Sequence, residues 1–258
     1  MNILFIGDVT GVAGLRMVDR QLRQLRERYP ADLVIANAEN AAPTGRGITA
    51  AHAERLFDSG VEFLTMGNHV WDQREAYALL EQDERIVRPA NMHASAPGRG
   101  YTICHAGGKS VAILNLIGRT YMAPFACPFE TADRLLAEIK ERADICLVDF
   151  HAEITSEKLA MGWYLAGRAT AVVGTHTHVQ TADERVLPGG TAYITDVGMT
   201  GPRDGILGVR RDQVIRRFLD QMPVRFELAD GAWQLGAVYI QVDDSGRAVS
   251  IERVMVVD

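Results

Sequence analysis

At 258 residues with 47% hydrophobic content, the chain can bury a full core without disulfides or metals to staple it. Its formal net charge of −6, from 33 acidic and 27 basic side chains, leaves no basic excess for counterion release, which argues against a stable complex with duplex DNA or RNA. Cys104, Cys127 and Cys146 are widely spaced, odd in number and form no CxxC pair; the opening MNILFIGDVTG lacks the features of a signal peptide, and no apolar run reaches membrane-spanning length, so a soluble cytoplasmic protein is expected.

A first strand is expected over Asn2–Ile6, ending at Gly7-Asp8, followed by a helix with Val12, Leu15, Val18, Leu22 and Leu25 at three-and-four spacing. Leu33–Ala36 is the next strand and runs into Asn37-Ala38-Glu39-Asn40; Thr49–Ser59 follows as a helix opening on a threonine cap. Phe63–Met66 ends at Gly67-Asn68-His69, with a helix expected over Trp71–Glu81. Tyr101–His105 and Ser110–Ile117 read as a hairpin. Then come a helix over Thr131–Arg142, a strand Ile145–Val148 leading to Asp149-Phe150-His151, and a helix over Ser156–Leu165. Ala169–Val173 leads to Gly174-Thr175-His176-Thr177-His178, and Trp233–Val242 with Ala248–Val257 forms a second hairpin. The strands are nearly continuous in apolar residues, as when both faces are covered. The βαβα order predicts an α/β fold with a mixed sheet, parallel early and antiparallel in its additions. With no linker, low-complexity tract or repeat, residues 1–258 read as a single domain.

Five strand ends carry Asp8, Glu39-Asn40, Asn68-His69, His151 and His176/His178. In open α/β sheets the ligand crevice lies outside the carboxyl ends of the strands, so these side chains are expected to meet. His176 and His178, two positions apart, point to one side if the chain there is extended. They are then placed to chelate one metal, to serve two, or to share a wet surface. Carboxylate and amide oxygens mixed with imidazole suit manganese, iron, zinc or, less well, magnesium. One ion would not use so many ligands and keep a place for substrate, whereas two divalent ions sharing a carboxylate would. A pair about 3.5–4 Å apart clamps both oxygens of an in-line displacement at phosphorus. His52, His93 and His105 have no such setting and are left out of the site.

The segments GDVTG, ANAENAA, GRGIT, MGNHVWD, DFHAEITSEK, VGTHTHVQTAD and ITDVGMTGPRDGILG resemble the bacterial YmdB-like family. That family lies within the calcineurin-like metallophosphoesterase superfamily and is linked to hydrolysis of 2′,3′-cyclic nucleotides. The resemblance implies a four-layer αββα sandwich with the metals at the sheet edge. It also implies one metal site of Asp8, Glu39, Asn40 and His178, and a second of Glu39, Asn68, His151 and His176, with Glu39 bridging. Where the wider superfamily has Asp-x-His, this chain has Asp8-Val9-Thr10, and Glu39-Asn40 stands in place of the usual bridging aspartate. The oxygen-rich first site tilts the metals toward manganese or iron.

The mechanism expected is in-line attack by a metal-bridging hydroxide, with His69 protonating the leaving alkoxide. Thr10, Arg46 and Arg203 lie near the ligands in sequence and have no assigned role. Competing expectations are another phosphodiesterase, a nucleotide monoesterase, a phosphoprotein phosphatase, an RNA endonuclease, or a low-turnover regulatory protein that keeps the metals. A homo-oligomer is compatible with the sequence.

Overall fold

The computed structural model describes all 258 residues. The chain runs β1 (Asn2–Ile6), β2 (Asp8–Val9), α1 (Gly11–Arg28), β3 (Leu33–Asn37), α2 (Ala50–Asp58), β4 (Phe63–Thr65), α3 (Ala76–Gln82) and β5 (Ile86–Val87). It continues with β6 (Tyr101–Ala106), β7 (Lys109–Ile117), α4 (Pro128–Ile139), β8 (Ile145–His151), α5 (Thr155–Tyr164) and β9 (Ala171–Thr175). The last part holds β10 (Arg185–Leu187), β11 (Thr191–Ile194), β12 (Met199–Pro202), α6 (Arg211–Asp220), β13 (Trp233–Val242) and β14 (Ala248–Val257).

Where the residue pattern predicts a mixed sheet, the strands form two. The first is ordered β2-β12-β13-β1-β3-β4-β5, with β14 also on β13; the second is β10-β11-β9-β8-β7-β6. Strands β1, β3, β4 and β5 are parallel, and β13 lies antiparallel to β1. In the second sheet β7, β8, β9 and β11 are parallel, with β6 and β10 antiparallel at the edges.

The period of two along each strand explains the stacking. Leu4 and Ile6 of β1 pack with Leu15, Val18 and Leu22 of α1, whereas Ile3 and Phe5 face the other sheet. On the far side, Ile113 of β7 and Leu147 of β8 join that inter-sheet core, while Leu114, Val148 and Phe150 pack with Leu135 and Ile139 of α4 and Met161 of α5. Three apolar interfaces therefore separate four layers, αββα.

The second hairpin has the expected bounds, and the first extends to Ala106 and Lys109. Thr49 caps α2, its side chain accepting from the N–H of His52. Helix α3 begins at Ala76 rather than Trp71, because successive turns occupy the chain before it: the N–H of Val70 bonds to Gly67 O, that of Asp72 to His69 O, and that of Ala76 to Gln73 O. Helix α4 starts at Pro128, before the expected Thr131, with proline in the first turn where its missing N–H costs nothing.

Candidate metal centre

The carboxyl ends of β1, β3 and β4 in one sheet and of β8 and β9 in the other meet at the same end of the sandwich. Asp8 opens β2 just after β1, Glu39 and Asn40 follow β3, Asn68 and His69 follow β4, His151 ends β8, and His176 and His178 follow β9. Asp8, Glu39, Asn40 and His151 are buried; Asn68, His176 and His178 are partly so.

Around His151 Nε2 lie Asn68 Oδ1 at 3.0 Å, Glu39 Oε1 at 3.1 Å and His176 Nδ1 at 3.1 Å. Beside this cluster, Asp8 Oδ1 stands 4.0 Å from His178 Nε2. Asp8 Oδ1 and Asn40 Oδ1 are both buried with no hydrogen-bond partner. Such atoms are costly unless something binds them.

A relay fixes the orientation of His151. Its Nδ1–H donates to Thr175 Oγ1 at 2.8 Å, and that hydroxyl donates to Asp149 Oδ1 at 2.7 Å. Asp149, buried on β8, also accepts from Thr65 Oγ1 at 2.5 Å and Asn37 Nδ2 at 3.1 Å, both in the other sheet. Nε2 is thereby left to face the lone pairs of its neighbours, an arrangement that calls for a cation.

A proton on His151 meets the same demand. Burial opposes a charge on His151, but Glu39 and Asp8 outweigh it and push the imidazole up to about 9. Burial likewise works against the Glu39 carboxylate, and His151 overrides it, holding Glu39 at about 2. Asp8 is pushed up to about 6, chiefly by burial, and His176 down to about 3 by burial and by the charge on His151. A divalent ion competes with the proton for the same lone pair.

Gly67 closes the cradle from below. A Cβ there would sit 2.4 Å from both Glu39 Oε2 and His151 Nε2, so a larger residue would push those two side chains out of place. The unpartnered oxygens, the glycine cradle and the mix of carboxylate, amide and imidazole donors fit divalent cations. Glu39, His151 and His176 alone offer donor atoms within 4.8 Å of one another.

The geometry of His176 and His178 departs from expectation. Strand β9 ends at Thr175, and the two histidines adopt positive φ, 99° and 65°, so a tight turn and not the pleat of a strand aims their rings. Each ring is gripped at its outer nitrogen, His176 Nε2 by Glu153 Oε2 at 2.8 Å and His178 Nδ1 by the Leu207 carbonyl at 3.2 Å.

His69 meets the cluster through its backbone. Its backbone N–H donates to Glu39 Oε2 at 2.8 Å, while its ring Nδ1 pairs with Asp72 Oδ2 at 2.9 Å. The ring lines a cavity of about 220 Å³ together with Glu39, Asn40, His176 and His178. An adjoining cavity of about 600 Å³ shares Asn40, His69, His178 and Leu207 and adds Thr10, Arg46, Arg225 and Phe226. Arg203 lines neither cavity. His52 and His93 are engaged locally by Thr49 and Ser95.

The model of the YmdB-like protein family matches residues 4–254. This chain belongs to the YmdB-like family. Over its whole length it is 51% identical to the 2′,3′-cyclic-nucleotide 2′-phosphodiesterase of Bacillus subtilis, covering 98% of that protein. A hypothetical protein from Thermus thermophilus superposes over the full length of both chains with a TM-score of 0.94 and 45% identity. A novel phosphatase from Mycoplasma pneumoniae gives the same TM-score at 38% identity, covering 100% of this chain and 93% of the other.

Beyond the expected ligands, this YmdB-like protein uses Asp149, Thr175, Glu153 and the carbonyl of Leu207 to orient three imidazoles. Asp149 and Glu153 lie within DFHAEITSEK, each two residues from His151, and Thr175 adjoins His176; that proximity was the signal available in the sequence.

Proposed function

We propose that this YmdB-like protein is a phosphodiesterase that hydrolyses 2′,3′-cyclic nucleotides at a dinuclear metal centre. The observation that carries this reading is the pair of buried, unpartnered oxygens, Asp8 Oδ1 and Asn40 Oδ1, beside the donors crowded on His151 Nε2. They support a division into two adjacent sets of ligands. Asp8, Glu39, Asn40 and His178 hold one cation; Glu39, Asn68, His151 and His176 hold the other. The donor set favours manganese or iron over zinc or magnesium. The substrate class follows the named activity of the Bacillus subtilis relative.

When bound, a divalent pair supplies Lewis acidity and an activated water for in-line attack at phosphorus. The chain supplies the rest. Asp72 engages Nδ1 of His69 and leaves Nε2 toward the cavity, where it protonates the departing alkoxide. The larger cavity takes the nucleoside, with Arg46 and Arg225 bringing positive charge to its wall. All of residues 1–258 act as one domain in this reading. The three cysteines are free, which supports action in a reducing compartment such as the cytoplasm. No helix is long and apolar enough to cross a membrane. Ile215, Phe218 and Leu219 of α6, 50–80% exposed, are where a homo-oligomer would bury surface.

The test joins metal analysis of purified protein to turnover of 2′,3′-cyclic AMP, 3′,5′-cyclic AMP and p-nitrophenyl phosphate. Two metal equivalents and a preference for the 2′,3′-cyclic diester are expected. Preference for the monoester, or activity untouched by chelation, would overturn the assignment.

A further inference from the structure

The segment DFHAEITSEK contributes more than His151 and Glu153. Lys158 of α5 is 1% exposed, and its Nζ donates to Asp196 Oδ2 at 2.6 Å; Asp196 is itself fully buried. The same carboxylate oxygen accepts both the backbone N–H of Thr177, at 3.0 Å, and its hydroxyl, at 2.6 Å. Its other oxygen accepts the N–H of Gly198 at 2.7 Å. Thr177 is the residue between His176 and His178.

That turn does not hold itself. Two non-glycine residues of positive φ, separated only by Thr177, are unfavourable for L-amino acids and persist where surrounding bonds over-determine them. Two charge-assisted bonds from Thr177 to Asp196 supply that restraint. Asp196 in turn cannot stay charged in the interior unless its charge is compensated, and Lys158 is the cation within reach. The lysine stem gets there by passing over Gly174, where a Cβ would lie 3.1 Å from Lys158 Cδ. The chain of contacts runs from α5 through Lys158, Asp196 and Thr177 to the two histidines.

We propose that the buried Lys158–Asp196 pair braces the His176-Thr177-His178 turn through Thr177, making Asp196 and Thr177 positioning residues for both cations. This rests on the dinuclear reading of the site for what the histidines hold. A generic buried ion pair would support the fold alone and leave metal affinity unchanged when replaced by a neutral pair of similar shape.

The experiment measures Mn²⁺ affinity by chelator competition, with Mn²⁺ stoichiometry, in the wild type and three variants. Thr177→Val keeps shape and backbone N–H but removes the hydroxyl bond. Lys158→Met combined with Asp196→Asn removes both charges together, so neither is stranded. Leu56→Ala, in the helix-facing core far along the chain, serves as a control for lost stability alone. The first two variants are expected to bind Mn²⁺ about 10- to 100-fold more weakly, whereas Leu56→Ala melts earlier yet keeps wild-type affinity. If the double variant fails to fold, Thr177→Val still decides the matter. Wild-type Mn²⁺ affinity in folded Thr177→Val or in the folded double variant would overturn the brace while leaving the dinuclear reading intact. A wild-type protein that takes up neither Mn²⁺ nor Fe²⁺ would overturn that reading and the brace with it.

Discussion

A single methyl group at Gly67 should separate folding from metal binding. Gly67 is not among the positive-φ glycines, so alanine can adopt its backbone, and only the side-chain contact matters. The added carbon would stand 2.4 Å from Glu39 Oε2, His151 Cδ2 and His151 Nε2, against an ordinary separation of about 3.5 Å. About 1 Å of retreat is therefore needed. Neither group can give way freely: Glu39 Oε2 is held by the N–H of His69 at 2.8 Å, and the His151 ring by Thr175 at 2.8 Å. Overpacking of this kind costs about 1–3 kcal/mol, and at roughly 2–4 °C per kcal/mol for a chain of this size Tm should fall by about 2–12 °C. Misplacement of catalytic geometry by about 1 Å costs on the order of 100-fold in rate. Gly67→Ala protein is thus expected to fold, to retain less metal and to turn over 2′,3′-cyclic AMP about 100-fold more slowly. Thermal melts, elemental analysis and kcat on one preparation test this together. Full metal content with wild-type kcat would show that Glu39 and His151 are not pinned as described.

Two further perturbations probe the acid and the protons. His69→Ala should keep its metals and lose about 100- to 10,000-fold in turnover of a cyclic nucleotide, with a much smaller loss on bis-p-nitrophenyl phosphate, whose leaving group needs no proton; equal losses on both substrates would remove the acid role. In chelated protein, His151 is raised from its ordinary 6.5 to about 9, so its contribution to stability is complete below pH 6.5 and disappears as pH rises through 9. Metal-loaded protein should behave oppositely, because below pH 9 an incoming ion must first expel that proton, and affinity climbs over the same window. Calorimetric Tm between pH 6.5 and 9, with and without chelator, should give slopes of opposite sign, and parallel slopes would contradict the competition. Glu39, lowered from 4.5 to about 2, adds stability present above pH 4.5 and lost as pH falls toward 2.

The sequence was most legible where chemistry and geometry coincide. Polar residues at strand ends are visible because apolar runs stop within a few residues of Asp8, Glu39, Asn68 and His151, and the structure gathers all of them at one end of the sandwich. Hairpins around Gly107-Gly108 and Ser245-Gly246 announce themselves by turn chemistry. Strands of two to four residues, such as β2, β5, β10 and β12, are too short to show a period, whereas α6 carries Val214, Ile215, Phe218 and Leu219 at helical spacing but buries only Val214. How His176 and His178 are presented was not legible for a definite reason: an extended chain would also aim both rings to one side, and positive φ at histidine leaves no mark in composition. Asp149, Thr175, Glu153, Asp196 and Lys158 lie close to the expected ligands or within the family-like segments, but their roles were not legible because they arise from tertiary contacts between positions dozens of residues apart.

Asp149 joins more than a histidine. Its carboxylate takes bonds from Asn37 and Thr65 in the first sheet and from Thr175 in its own, while Asn115 of β7 donates to its carbonyl and accepts the N–H of Met66. Along the rest of the sandwich the sheets meet through apolar side chains, which attract without specifying direction and would tolerate small sliding. At this end directional bonds set the relative position of the layers. Asp8, Glu39, Asn40 and Asn68 reach the proposed centre from one sheet and His151, His176 and His178 from the other, so the gap that the metals must span is measured by this seam. Loops outside the seam can then vary to suit new substrates while the spacing between the two sheets stays fixed.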